Sequence, residues 1–296
     1  MRYTIHHQTI YHYEEKVSYS HHLARLSPAA TPRQSPLSAR LQVSPTPDIL
    51  SQHRDHFGNQ TSFFSLTTPH RELRIDSYCE IEVDQRAAEL PELSPPWEEL
   101  ANGLAQGTGP AELEARQFTY PSPLCPTSAE LAAYARRSFG KGVPLIEAAR
   151  DLNERIFDDF SFDNSATTVS TPVSEVFAKR AGVCQDFAHL QLSCLRSLGL
   201  PARYVSGYLR TDPPPGKPRL IGADASHAWI ELFLPGSGWL GFDATNNVIP
   251  AGHHIIVARG RDYQDISPIR GTVYGGGAQR LEIGVTVTPH EDKALL

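Results

Sequence analysis

The sequence predicts an α+β fold in which a β-sandwich precedes a region of helices and an antiparallel sheet. Three observations support this class. Residues 1–90 contain several short segments of alternating hydrophobicity. A helical period then runs from Cys184 to Leu198, and strand-like segments follow at Ala202–Leu209, His227–Phe233 and Trp239–Asp243. Strands that are grouped first and mixed with helices later are typical of α+β proteins.

Composition limits the function classes. The chain has 296 residues, of which 40% are hydrophobic and 20% are charged, as in soluble globular proteins. The formal net charge is −6, and no run of Lys and Arg is present. A nucleic-acid partner is therefore not expected.

The first residues, the apolar stretches and the cysteines indicate the cellular compartment. Met1–His7 has no apolar core of a signal peptide, and no apolar stretch reaches the roughly 18 residues of a membrane span. The four cysteines show no CxxC spacing and are too few for a disulfide scaffold. We expect a cytoplasmic protein with reduced thiols and no membrane contact.

The first unit, residues 1–90, is predicted to be a β-sandwich domain. Strand patterns occur around Thr9–Tyr13 and Leu37–Val43, and two more are predicted at Thr61–Thr67 and Leu73–Val83. Asp55–Asn59 is a turn signal between strands. Short strands separated by turns are typical of a sandwich.

This first unit is rich in histidine, but no metal site is predicted there. Adjacent residues of a strand point to opposite faces, so the paired histidines do not converge on one ion. We expect surface or interface positions for the histidines of this region, which are His6, His7, His12, His21, His22, His53 and His56.

A linker is predicted at residues 91–127, because this stretch is rich in Pro, Glu and Ala, with one short helix near Glu112–Gln117. The third unit, residues 128–296, is predicted to hold the remaining helices and strands. Its first helices are expected at Ser128–Ser138, Leu145–Phe157 and Val173–Lys179. Later features are a loop with four prolines at 212–218, a glycine-rich joint at 275–277 and a strand at 281–288 that could join either domain.

The helix from Cys184 carries the first candidate site residue. Apolar residues recur at spacings of three and four, and Gly199 and Pro201 end the pattern. Cys184 then lies in the first turn, where the helix dipole favours a thiolate. The ordinary alternative is that a free cysteine packs in the core, which is the expectation for Cys194 on the apolar face of the same helix.

Two partners for Cys184 are expected on a hairpin. Pro235–Gly238 is a turn signal between the strands that carry His227 and Asp243. The strand ends must lie near each other, but the sequence does not settle the register that would let the two side chains meet. Each residue alone has a common structural explanation, as a surface or core histidine and as a turn-forming aspartate.

Together, these residues suit nucleophilic catalysis. A thiol beside an imidazolium ionises more readily, the imidazole can later protonate a leaving amine, and a carboxylate can orient the imidazole. We predict Cys184 as nucleophile, His227 as base and acid, and Asp243 as the orienting residue. Trp229 and Trp239 could line a substrate cleft or could belong to the core.

Three motifs carry a resemblance to a known family. Gly182–Ala188, Ala225–Trp229 and Trp239–Thr245 resemble the transglutaminase-like superfamily of papain-fold enzymes. The front of the chain, including Asp55–Asn59, resembles the β domain found with bacterial members. The stretch His254–Gly271, which includes Arg261-Asp262-Tyr263, resembles the region that follows the core in those proteins.

The resemblance implies a papain-like core, with the cysteine-bearing helix packed on an antiparallel sheet, and a cysteine-dependent acyl-transfer enzyme. A peptidase or amidase acting on a peptide or protein is the first expectation. A protein-glutamine transglutaminase, transfer from a small-molecule thioester, and a non-catalytic peptide-binding or protein-binding module remain alternatives. No EF-hand spacing or dense acidic cluster is present, so no calcium, other metal or cofactor is expected.

Overall fold

The structure is a computed structural model that describes residues 1–86, 94–106, 109–211 and 225–290. The predicted proline-rich loop at 212–218 lies outside the described residues.

The elements follow the predicted α+β order, strands first and helices with further strands afterwards, which confirms the predicted class. The first five strands are β1 (Arg2–Ala24), β2 (Gln34–Ser44), β3 (Ile49–Arg54), β4 (Gln60–Leu66) and β5 (His70–Val83). The middle of the chain holds α1 (Trp97–Gln106), α2 (Pro110–Arg116), α3 (Ala129–Ala135), α4 (Leu145–Asp159), β6 (Ser161–Phe162), α5 (Val173–Lys179), β7 (Ala181–Gly182) and α6 (Cys184–Ser197). The last part holds β8 (Ala202–Leu209), β9 (Ala225–Leu234), β10 (Gly238–Phe242), β11 (His254–Gly260), α7 (Tyr263–Ile266), β12 (Ile269–Gly275) and β13 (Gln279–Pro289).

The N-terminal strands form one antiparallel sheet around the long strand β1. The first half of β1 pairs with β5, and its second half pairs with β4. Leu73 and Ile75 of β5 share a buried cluster with Phe64 and Leu66 of β4. The single sheet therefore curls so that β4 and β5, the two neighbours of β1, enclose a hydrophobic core of their own.

The last two strands return to this first sheet. β12 pairs with the second half of β1, and β13 pairs with the first half. The sequence left open which domain the final strand joins, and the structure answers that question. The chain thus leaves the N-terminal sheet, forms the helical region and the second sheet, and comes back to the starting strand.

Much of the predicted linker is packed structure. Helices α1 and α2 occupy it, and a turn of 3₁₀ helix follows at Gln117–Thr119. Leu100, Leu104 and Phe118 are buried, and the two leucines join the main core. The prolines before Trp97 suggested a break, but Pro is tolerated just before a helix, so they do not prevent α1 from forming.

The second sheet has the order β10-β9-β8-β11, and α6 packs against it. Along β9, Ala228, Ile230 and Leu232 belong to the main core with residues of α6 such as Leu190. His227, Trp229 and Glu231 alternate with them and therefore lie on the other face of the strand. This alternation separates the apolar residues that hold α6 from the polar residues of the site.

Two of the N-terminal histidines depart from the surface expectation. His7 and His22 are buried, with 2% and 4% of their surface exposed. Burial, with a neighbouring histidine in each case, lowers the pKa of both imidazoles to about 4. The prediction was wrong for these two residues because both lie on the buried face of β1, in line with Ile5 and Thr9 for His7 and with Ser20 and Ala24 for His22.

In the described part of the chain, no helix is both long enough and apolar enough to cross a membrane.

Candidate active site

Helix α6 places Cys184 at its first position. Helix α5 ends at Lys179, and Arg180 takes a left-handed conformation with φ of 56°. The Arg180 guanidinium lies 4.2 Å from the ring centroid of Phe177, a cation–π contact that helps hold this turn. β7 then pairs with β6 and leads directly into the helix.

Asp186 fixes the start of α6. Its Oδ2 accepts hydrogen bonds from the backbone N–H of Val183 at 2.8 Å and from the Thr167 hydroxyl at 2.6 Å. A Cβ at Gly182 would lie 2.7 Å from the same oxygen, so a residue without a side chain is needed there. A carboxylate that reaches back to the residue before the helix is half of a capping box. The sequence analysis did not single out Asp186 for this task.

Cys184 differs from the other three cysteines in its environment. None of the four is in a disulfide; Cys184 is half-buried, whereas Cys79, Cys125 and Cys194 are buried. Burial raises the pKa of the Cys125 and Cys194 thiols to about 12. Cys184 is therefore the cysteine that both lies at a helix N-terminus and is accessible to reagents.

The imidazole of His227 connects Cys184 with Asp243. Its Nε2 lies 2.8 Å from Oδ2 of Asp243, and the Cys184 thiol lies near enough to the ring to help raise its pKa. Burial acts to lower the pKa of His227, but the hydrogen bonds and charges of Asp243 and Cys184 outweigh it and raise the pKa to about 9. The three predicted residues are thus brought together in the order Cys184, His227, Asp243.

The hairpin register explains how His227 and Asp243 meet. Phe242 pairs with Ile230, so the next residue, Asp243, comes opposite Trp229 and diagonally across from His227. Diagonal neighbours on one face are within reach of long side chains. The backbone N–H of Asp243 donates to the carbonyl of Val248 at 2.9 Å, which ends the strand there and holds the carboxylate in place.

Asp243 is fully buried and surrounded by donors. Its Oδ2 also accepts from Asn246 Nδ2 at 2.7 Å and lies 3.0 Å from His254 Nε2. Its Oδ1 accepts from the backbone N–H of Thr245 at 3.0 Å. Burial would raise its pKa, but the hydrogen bonds to His227, His254 and Asn246 hold the pKa well below the usual range. The sequence analysis did not predict a role for His254 or Asn246.

Trp229 and Trp239 occupy different positions. Trp229 is buried, and its ring stacks on His227 with 5.9 Å between the centroids. Trp239 is half-buried and carries the Arg203 guanidinium 4.0 Å above its ring. Both line a cavity of about 580 Å³ whose wall also includes His254. Trp229 thus supports the imidazole of His227, while contact of either tryptophan with a substrate stays a prediction.

A buried ion-pair cluster lies on the wall of the same cavity. Glu231 accepts from Arg203 Nε at 2.7 Å and from Arg259 Nε at 2.8 Å. Burial opposes its ionisation, but the two guanidinium groups outweigh burial and lower the pKa of Glu231 to about 2. This cluster links β8, β9 and β11, the three adjacent strands behind the site.

One group of side chains has the donor types of a metal site. The imidazole nitrogens of His227 and His254 and a carboxylate oxygen of Asp243 lie within 4.8 Å of one another. Two imidazoles and one carboxylate suit Zn²⁺ or Fe²⁺ in general. Here the same atoms are joined by hydrogen bonds, which already account for their approach.

The segment Arg261-Asp262-Tyr263 is an ordered crossover. Asp262 caps α7 by accepting from the Gln264 N–H at 2.9 Å and accepts from the Leu124 N–H at 2.9 Å. The Tyr263 N–H donates to His189 Nε2 at 3.2 Å. Burial lowers the pKa of His189 to about 4, which keeps this nitrogen free to accept.

Comparison with known proteins identifies two matching regions. Residues 3–82 match the family described as the bacterial transglutaminase-like N-terminal region, and residues 132–244 match the transglutaminase-like superfamily. An uncharacterized protein of Mycobacterium tuberculosis is 41% identical over 302 residues, which cover 99% of this chain and 95% of that protein.

Two further similarities are more limited. A crystal structure of a candidate cysteine protease from Cytophaga hutchinsonii superposes with a TM-score of 0.74 and 22% identity, covering 98% of this chain and 92% of that one. A protein-glutamine γ-glutamyltransferase of Pseudomonas aeruginosa is 38% identical over 76 residues, 25% of this chain and 11% of that protein. The first similarity concerns the fold, and the second concerns a short segment.

Proposed function

The chain belongs to the transglutaminase-like superfamily, and we propose that it is a cysteine-dependent hydrolase, a peptidase or amidase that cleaves amide bonds of a peptide or protein. The observation that carries this proposal is the position of His227, whose ring hydrogen-bonds the Asp243 carboxylate and lies near enough to the Cys184 thiol for that thiol to help raise its pKa. A nucleophile, a base and an orienting carboxylate in contact are what acyl transfer through a thioester needs.

In the first half of the reaction, the Cys184 sulfur attacks the carbonyl carbon of the amide. The thiol proton resides on His227 Nδ1, because Nε2 is directed at Asp243. Collapse of the tetrahedral intermediate breaks the C–N bond, and His227 gives its proton to the leaving amine. The acyl group remains on Cys184 as a thioester.

In the second half, water attacks the thioester carbonyl while His227 accepts a proton from it. The C–S bond breaks, a carboxylic acid leaves, and the thiol of Cys184 is restored. Asp243 remains ionised throughout and stabilises the imidazolium that forms in each half.

The oxyanion of each tetrahedral intermediate needs a hydrogen-bond donor. We propose the backbone N–H of Cys184, because the first N–H groups of a helix have no partner within the helix. The cap by Asp186 uses the N–H of Val183 and so does not consume this donor. The helix dipole of the 14-residue α6 adds favourable charge at the same point.

Transfer to an amine is the competing reaction. The segment shared with the P. aeruginosa γ-glutamyltransferase favours it. Both reactions pass through the same thioester and differ only in whether water or an amine resolves it.

The test measures products rather than cleavage alone. The protein is incubated with casein and with glutamine-containing peptides, with and without a primary amine, and the products are identified by mass spectrometry. We expect new chain ends or side-chain acids, formed at a rate that Cys184→Ala reduces by at least about 10³-fold; Cys194→Ala serves as the matched control.

Three outcomes contradict the proposal. Amine incorporation that exceeds hydrolysis would make the protein a transglutaminase. Products that Cys184→Ala leaves unchanged would show that Cys184 is not the nucleophile, and reversible binding of the peptides without products would favour the non-catalytic binding module.

A further inference from the structure

We propose that His254 is a positioning residue, which holds the Asp243 carboxylate in the orientation that His227 needs. The inference rests on the proposed function, because it assigns a task within the same reaction. It concerns a residue of β11 that lies outside the motifs carrying Cys184, His227 and Asp243 and follows Asp243 by 11 residues.

The geometry places two histidines on one carboxylate oxygen. Oδ2 of Asp243 lies 2.8 Å from Nε2 of His227 and 3.0 Å from Nε2 of His254. Asp243 has no exposed surface, and 6% and 8% of His227 and His254 are exposed. Because such a carboxylate has no exposed surface, its protein donors determine which way each oxygen points.

The tautomers follow from this arrangement. An ionised carboxylate only accepts hydrogen bonds, so both imidazoles present an Nε2–H to Asp243. His227 then keeps Nδ1 as the atom that exchanges a proton with Cys184. Loss of His254 would leave Oδ2 with His227 and Asn246, so one of the three bonds that set the position of this oxygen relative to His227 would be missing.

Gly207 makes this approach possible. It lies on β8 between His227 on β9 and the strand β11 that carries His254. A Cβ at Gly207 would lie 2.0 Å from the carbonyl oxygen of Ile255 and 2.7 Å from Cη2 of Trp229. Any side chain there would push β11 or Trp229 away.

Trp229 fixes the ring of His254. The two rings make an edge contact, with centroids 5.2 Å apart and an interplanar angle of 80°. The same tryptophan ring also stacks on His227. Both imidazoles are thus held by one buried aromatic residue, which preorganises them toward the shared carboxylate.

The distances favour hydrogen bonds over a bound metal ion. Ligands of a tetrahedral Zn²⁺ at bond lengths of 2.0–2.1 Å are separated from each other by roughly 3.3 Å. The observed N···O separations of 2.8 and 3.0 Å are shorter and match ordinary hydrogen bonds.

The experiment compares three substitutions at one position. In His254→Leu the donor is lost; in His254→Asn the amide is too short to reach; in His254→Gln the amide nitrogen can take the place of Nε2. We expect kcat for amide hydrolysis to fall on the order of 10- to 100-fold in the Leu and Asn variants, with KM little changed, and to be largely restored in the Gln variant. His22→Phe, a buried histidine of the N-terminal sheet, is the control with unchanged kcat.

A second measurement follows the thiolate without a substrate. The rate of Cys184 alkylation by iodoacetamide near pH 6 should fall in the Leu and Asn variants and recover with Gln. Circular dichroism and thermal melting establish that each variant is folded, and the Asn and Gln variants keep a polar side chain if Leu is not tolerated.

The proposal is overturned if the Asn variant equals the wild type, or if Gln is as slow as Asn. It is also overturned if the purified wild type holds one equivalent of zinc or iron that the Leu variant lacks, because the cluster would then be a metal centre. If the wild type shows no preferential alkylation of Cys184, the proposed function fails instead.

Discussion

At the scale of single residues, the candidate nucleophile Cys184 differs from the other cysteines in its environment rather than in its residue type. Cys184 and Cys194 lie on the same helix, yet Cys194 is buried with a pKa raised to about 12, while Cys184 is half-buried beside His227. The position of Cys184 at the helix start could be predicted from the sequence. The contact with His227 depends on the fold.

A pH dependence of stability follows from His227. Its pKa is raised from 6.5 to about 9, so the folded state binds the proton more tightly than the unfolded state. The resulting stabilisation is complete below about pH 6.5 and is lost as the pH rises through about 9. Urea denaturation should therefore show a difference in unfolding free energy between wild type and His227→Gln that shrinks from pH 6 to pH 9.5. A difference that stays constant or grows would contradict the raised pKa.

At the scale of secondary-structure elements, local sequence patterns predicted individual helices and a hairpin, but they did not predict which distant strands pair. The hairpin of β9 and β10 and the helices α3, α4, α5 and α6 follow the periodicity and the cap signals of the sequence. Ser128, for example, caps α3 as predicted by accepting from the Leu131 N–H. By contrast, α1 and the return of β12 and β13 to β1 were not predicted, because they depend on tertiary packing and on long-range strand pairing.

Dependence on tertiary packing also explains why His254 and Asn246 were not predicted as site residues. His254 is separated from Asp243 by a turn and meets it only because Gly207 allows β11 to approach. Asn246 lies in the turn that follows Asp243, and this turn directs its amide at the Asp243 carboxylate. No local signal distinguishes either residue from a structural one.

A prediction at this scale concerns the ion-pair cluster of the second sheet. Glu231→Gln removes the charge that compensates two largely buried guanidinium groups, of Arg203 and Arg259. We expect a loss of about 3 to 5 kcal/mol in the free energy of unfolding, measured by urea denaturation at neutral pH.

The matched control is Glu175→Gln, which breaks the exposed pair with Lys179 on α5. It should cost less than about 1 kcal/mol. Equal effects of the two substitutions would show that the buried cluster contributes little.

At the scale of the whole molecule, the two sheets are joined through the edge strand β11. Gln34 donates to the carbonyl of Ile256 at 2.6 Å and accepts from its N–H at 2.9 Å. Asn59, from the turn at Asp55–Asn59, does the same with Arg259, at 2.8 Å for both bonds. Side-chain amides of the N-terminal sheet thus cover an edge that would otherwise be open to other chains.

The whole-molecule prediction is that removing either amide destabilises the protein and loosens the site. Gln34→Ala removes the side-chain acceptor of the Ile256 N–H, while the Ile256 carbonyl keeps the N–H of Ala29, and Asn59→Ala removes both side-chain bonds to the Arg259 backbone. We expect a cost of about 1 to 3 kcal/mol each in unfolding free energy. Gln52→Ala, whose amide makes only a 3.4 Å contact with Ser62, is the control. Equal stability of Asn59→Ala and the control would contradict the role of the Asp55–Asn59 turn as a connection between the sheets.

Limiting alkylation tests most directly whether Cys184 and His227 form a reactive pair in the resting protein. Wild type and His227→Ala are treated with substoichiometric iodoacetamide from pH 5 to 9, and the modified cysteine is identified by mass spectrometry. We expect Cys184 to be alkylated first in the wild type even at the acidic end, and His227→Ala to remove this advantage. Similar reaction of all four cysteines, or an unchanged pattern in His227→Ala, would contradict it.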